Sequence, residues 1–208
     1  MKNFILAIVS GIIIGVGGSV YLALAEKSVV LGATLFTFGL FFILIYQFKL
    51  YTGMVGQALY NDKKTNFSML YVIAGNFIGT FTTSTLLSFT RTYDKILPKA
   101  LELSETKLND SWVSVLILAI YCGLLMFLAC NTYYKHKDSL YKIIAMFICI
   151  IVFTVLGFEH SIANMVYFTL AKAWSLKAVL YTFIALIGNG LGSLFIPAIL
   201  KLVKRNDF

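Results

Sequence analysis

Three ionisable side chains stand deep inside the apolar runs of this chain: Lys49, Glu159 and His160. A charged group in hydrocarbon costs ~2.5–3.5 kcal/mol on insertion scales, so such residues read first as parts of a substrate path. His160 titrates near neutrality and can donate or accept a hydrogen bond. Glu159 reads better as structural, accepting backbone N–H groups that a broken helix leaves unpaired. Lys49 would raise the local anion concentration from a vestibule, or it would snorkel to the interface or pair with Glu159. Thr52 and Asn164 offer further hydrogen bonds, and either would also cap a half-helix. Half-helices starting just after Thr52 and after Ser161 would aim positive N-termini at the midplane without a fixed charge. That arrangement suits a small monovalent anion.

Other chemistries find little support. An intramembrane enzyme needs a nucleophile–base pair or paired acids, and the chain has neither a Gly-x-Ser-Gly motif nor two intramembrane aspartates. One histidine within the spans excludes bis-histidyl haem in a single protomer. Cys122, Cys130 and Cys149 all lie in apolar runs without metal or pairing spacing, so they read as small packing residues and no metal or cofactor is expected. A transport-inert scaffold would be favoured by loss of the polar residues at the breaks, and these are present.

The elements that position these residues follow from composition. Apolar residues make up 60% of the 208 and charged residues 12%, too few polar groups to cover a water-soluble exterior. The net charge of +8 is spread over short connections rather than a basic patch, which excludes nucleic acid as a partner and leaves the lipid bilayer. Six apolar segments run over 4–25, 28–60, 66–90, 111–134, 140–171 and 178–203. The first imitates a signal peptide, with Ala23-Leu24-Ala25 as its cleavage site. Gly11, Gly15 and Gly18 instead give it a small-residue face suited to close helix packing. The connection 91–110 reads as a surface helix opened by Pro98 or as a plain loop, with Asp110 or Ser111 capping the next span.

Six spans put both termini on one side. That side carries Lys2, Lys63, Lys64, Lys135, Lys137, Lys142, Lys201, Lys204 and Arg205, against Lys27, Arg91, Lys95, Lys99, Lys107, Lys172 and Lys177 opposite. The excess favours cytoplasmic termini, and Trp112 and Trp174 sit at span ends on the other side as interfacial anchors.

Segments 28–60 and 140–171 are longer than the roughly 20 residues a straight span needs. Polar residues interrupt each: Gln47 to Gly53 in one, Gly157 to Ser161 in the other. Each is followed by a Gly-Asn-x-x-Gly span, Gly75 to Gly79 and Gly188 to Gly192. A broken segment followed by this motif therefore occurs twice, in halves of about 1–90 and 111–208. Three spans per half make the halves opposite in orientation. The expectation is one all-α membrane domain over 1–208, with six transmembrane helices in an inverted repeat and broken second and fifth helices.

The stretch Gly157-Phe158-Glu159-His160-Ser161-Ile162-Ala163-Asn164-Met165 closely resembles the fifth-helix signature of the formate/nitrite transporter family. Leu50-Tyr51-Thr52-Gly53 is similar to that family's second-helix loop, usually Leu-Phe-Thr-Gly or Leu-Phe-Thr-Ser, and both Gly-Asn-x-x-Gly stretches match. The resemblance implies an aquaporin-like fold in homopentamers with one pore per protomer. It implies substrates that are small inorganic or organic anions of weak acids: formate, nitrite, hydrosulfide, acetate or lactate. It makes His160 the central pore histidine and Thr52 the threonine facing it. Leu50 and Tyr51 would form one apolar constriction, and Phe36, Leu40 and Phe153 another. A bacterial inner or plasma membrane is the implied location. Three departures stand out. Lys49 replaces the family's usual acid, Gly123 falls where many members carry a polar residue, and no amphipathic segment precedes the first span.

Overall fold

The computed structural model describes residues 1–203, so Lys204 and Arg205 of the terminal charge count lie outside it. All regular structure among the described residues is helical, with no strand. Helix α1 (Lys2–Ala25) is followed by α2 (Val29–Ile45), the short α3 (Tyr51–Met54) with a 3-10 turn at Val55–Gln57, and α4 (Lys63–Leu87). A connecting helix α5 (Tyr93–Asn109) leads to α6 (Trp112–Lys135), α7 (Ser139–Val155), α8 (Ser161–Leu170) and α9 (Leu176–Leu202). Four of these, α1, α4, α6 and α9, are long and apolar enough to cross a bilayer. Both overlong segments are split, into α2 with α3 and into α7 with α8.

Local chemistry sets the starts. Side chains of Ser28, Asp62, Ser111, Asp138 and Ser175 each accept a backbone N–H in the first turn of the helix that follows. Asp62 moves α4 three residues upstream of the apolar run, because Lys63 and Lys64 are good helix formers that hydropathy discounts. Connection 91–110 is a helix that opens at Tyr93, five residues before Pro98. Its Ile96, Ala100, Ser104 and Lys107 are buried at the three- and four-residue spacing of one helix face.

The stops are equally specific. α2 ends with Gln47 in the left-handed region (φ 55°), where Phe48 N donates to Ile43 O at 2.9 Å and Gln47 N to Leu44 O at 3.2 Å. α7 ends the same way at Gly157 (φ 68°), with Phe158 N donating to Phe153 O at 2.9 Å and Gly157 N to Thr154 O at 3.2 Å. Both are Schellman closures, which satisfy the last carbonyls and turn the chain out of the helix. Glycine takes this conformation freely at 157, whereas Gln47 adopts it at a cost of roughly 1 kcal/mol or more.

Packing repeats between the halves. α1 lies on α4, and α6 lies on α9. A Cβ at Gly79 would fall 2.1 Å from Ile8 O, and one at Gly192 would fall 1.8 Å from Ile120 O. Such contact is closed to any residue but glycine. Gly11 meets Asn76 O as Gly123 meets Asn189 O, with would-be Cβ distances of 2.3 and 2.1 Å. Gly123 is therefore a repeat-related packing glycine, and a polar side chain at its position would have no room. The small-residue face of α1 serves the same packing, which accounts for Gly11 and Gly15 without a cleavage site.

Candidate functional site

After each Schellman turn the chain runs extended for three residues before a new helix begins, and an asparagine holds each extended run. Asn76 on α4 accepts from Tyr51 N at 3.0 Å and donates through Nδ2 to Lys49 O and Ala7 O, each at 2.8 Å. Asn189 on α9 accepts from Ser161 N at 2.9 Å and donates to Glu159 O at 2.7 Å and Ala119 O at 2.9 Å. A break exposes backbone groups that hydrocarbon cannot satisfy, and one buried amide with two donors and an acceptor satisfies them while tying the break to α1 or α6. This is the physical role of the Gly-Asn-x-x-Gly motif, which the sequence marked without explaining.

The two breaks meet at His160. Its Nδ1 accepts from Ala163 N at 3.1 Å, so the histidine is itself the N-cap of α8. Nδ1 must then present a lone pair, which places the proton of a neutral ring on Nε2. Nε2 lies 2.9 Å from Thr52 Oγ1 and donates to it. His160 and Thr52 are 3% and 1% exposed, and Phe153 stacks on the imidazole at 5.7 Å between centroids and 10° between planes. The half-helices start at Tyr51 and Ser161, earlier than the expected positions after Thr52 and Ser161. Their N-caps are Leu50 and His160, so neither Thr52 nor Asn164 is a cap, and His160 stands at the positive end of α8.

Three cavities line up through this point. A wide one of about 270 Å³ is bounded by Leu40, Leu50, Gln47, Lys49, Gln57, Asn61 and others. A narrow apolar one of about 10 Å³, lined by Ile14, Phe36, Leu40, Leu50, Met126, Ile150, Phe153 and His160, adjoins it across Leu40 and Leu50. A third, of about 30 Å³, is reached across Phe153 and His160 and is lined by Lys107, Thr154, Asn164, Tyr167 and others. Leu40 therefore sits with Leu50, and Phe36 and Phe153 form the other half of the narrow section with rings edge to face at 6.5 Å.

Two expectations change, and one alternative for Lys49 is not realised. Tyr51 lines none of the three cavities: its ring is buried and its hydroxyl donates to Leu186 O at 3.0 Å. Of the readings open for Lys49, the pairing with Glu159 is not formed, and the residue stands half-buried in the wide cavity. Glu159 instead accepts from Lys107 Nζ at 2.8 Å through Oε1, while Asn164 Nδ2 donates to its Oε2. In the sequence Lys107 is one of several basic residues in the connection 91–110. The only signal for it was its place on the apolar face of α5, since the α5–α8 contact is tertiary. The third cavity also exposes two polar atoms without a protein partner, Thr154 Oγ1 and Asn164 Oδ1.

An all-helical membrane fold is what these elements define. The profile of the formate/nitrite transporter family matches residues 1–203, and the chain belongs to that family. It is similar to the formate channel BtFdhC of Bacillus thuringiensis, 34% identical over 145 residues, covering 65% of this chain and 56% of that protein. The chain thus spans little more than half the length of that relative. A solved pentameric formate channel with formate bound superposes with a TM-score of 0.81 at 22% identity, over 98% of this chain and 96% of that one. A solved ion channel of the same family superposes at 0.84 and 18% identity, over 98% and 90%. These two likenesses establish the fold.

Proposed function

We propose that the chain is a channel for small monovalent anions of weak acids, of the formate, nitrite, hydrosulfide, acetate or lactate class. In this reading α2 with α3 and α7 with α8 each count as one broken span. The protomer then has six spans in an aquaporin-like inverted repeat, with both termini cytoplasmic. Five protomers assemble, each with its own path. The apolar groove lined by Leu70, Ile73, Phe77, Trp174 and Phe183, of which Leu70, Phe77 and Phe183 are exposed, supports burial against a neighbouring copy.

The observation that carries the reading is the Thr52–His160 contact, set between the Leu40/Leu50 pair and Phe153. The apolar side chains exclude water, so the few polar groups present act at low dielectric. Nε2–H of His160 donates to an anion that displaces Thr52 Oγ1, and the N-terminus of α8 adds positive potential behind it. Proton transfer from His160 to the anion requires an imidazolium, and Nδ1 must first release Ala163 N–H. The ring therefore rests as a hydrogen-bond donor and carries a second proton only with an anion beside it.

Proteoliposome flux with a panel of the five anions is the direct test, and uptake of none of them removes the proposal. His160→Asn keeps the cap on Ala163 and an amide donor but has no titratable group. Its pH dependence should be weaker, with some conduction retained. Wild-type flux with unchanged pH dependence would make the histidine structural. Native mass spectrometry in a mild detergent should give a pentamer; monomers alone would refute the assembly.

A further inference from the structure

The two lysines nearest the narrow section differ in electrostatic situation. Lys107 is buried against Glu159, whose second oxygen is held by Asn164, so the third cavity carries a compensated pair. Lys49 lines the wide cavity, and among the described residues no carboxylate lies within 4 Å of it. That cavity has no acidic residue in its wall. The nearest acid in sequence on the adjoining helix, Asp62, turns its carboxylate to Thr65 N at 2.7 Å as the cap of α4 and is solvent-exposed. Gln47, Gln57, Asn61 and Thr65 add amide and hydroxyl donors to the same wall.

Lys49 is also held in place. Its carbonyl accepts from Asn76 Nδ2 and its N–H donates to Leu6 O at 3.4 Å, so its backbone belongs to the clamped break. Its neighbour Leu50 is the gatepost between the wide cavity and the narrow one. At about 270 Å³ the cavity admits a carboxylate or nitrite with several waters.

We infer that this wide vestibule is an anion-collecting site with Lys49 as its cation, so that the channel loads from the Lys49 side more readily than from the Lys107 side. The inference deepens the proposed function and rests on it. A unit charge about 4 Å from an anion in water is worth ~1 kcal/mol, which is about fivefold in occupancy. Salt screens a field of this kind, because the vestibule is wet.

The experiment uses the full chain in two forms. Formate uptake into proteoliposomes oriented with the Lys49 side outward should show a half-saturating concentration raised about fivefold in Lys49→Gln at low ionic strength. The maximal rate should hold, and the difference should shrink at high salt. Lys49→Arg should behave as wild type. Binding of 13C-labelled formate to the detergent-solubilised protein, followed by line broadening, reads the site without conduction. Broadening in the wild type that is lost in Lys49→Gln upholds the site even if no flux is seen, in which case the channel reading alone falls. Equal broadening in both, or an unchanged half-saturating concentration in a conducting channel, overturns the inference.

Discussion

Asn189→Leu tests whether one amide holds the second break together. The substitution conserves approximate volume and removes three hydrogen bonds. Ala119 O keeps its place in the α6 ladder, but Ser161 N and Glu159 O have no other partner among the described residues. Both sit where bilayer and protein exclude water, and a buried unsatisfied group costs about 1–3 kcal/mol. The expected loss of stability is therefore about 2–6 kcal/mol. Denaturant titration in detergent micelles measures it. Asn66→Ala provides the control, because it gives up a single part-buried bond to Ala58 O and should lose about 1 kcal/mol. The break carries His160, so the variant should also lose anion flux in the fraction that stays folded. If Asn189→Leu costs no more than Asn66→Ala, the asparagine clamp is not what holds the break, and the explanation of the repeated motif fails.

Asn76→Leu should behave like Asn189→Leu in the same titration, since it leaves Tyr51 N and Lys49 O without partners. Lys107→Met should destabilise by about 3–5 kcal/mol by stranding a buried carboxylate. Adding Glu159→Gln should recover most of that loss, and a double-mutant cycle without coupling would refute the pairing. Tyr51→Phe should cost about 1 kcal/mol through the lost bond to Leu186 O. Gly190→Ala would place a Cβ 3.0 Å from the Tyr51 hydroxyl, so Tyr51→Phe should relieve the strain it causes; additive losses would show that the hydroxyl is not what the glycine accommodates.

The sequence alone determined the parts of this protein whose signals are local. Apolar runs and their lengths marked the long helices and the two segments that had to break, because backbone hydrogen bonding in hydrocarbon leaves helix as the default. Gly157 announced its left-handed turn by residue type; Gln47 did not, since a non-glycine residue there is held by its surroundings. The nine residues around His160 were specific enough to name the family, which the whole-chain profile match bears out. Tertiary structure decided what depends on two elements meeting. The partner of Glu159 is Lys107 on α5, fifty-two residues earlier, and spacing along one chain cannot choose among distant lysines. Tyr51 faces α9 rather than the cavities because its hydroxyl finds Leu186 O where Gly190 makes room. Gly123 is a packing glycine because α6 and α9 approach closely at Asn189. Charge and hydropathy are properties of single residues, whereas pairing, facing and clearance belong to surfaces that exist only once the helices have packed.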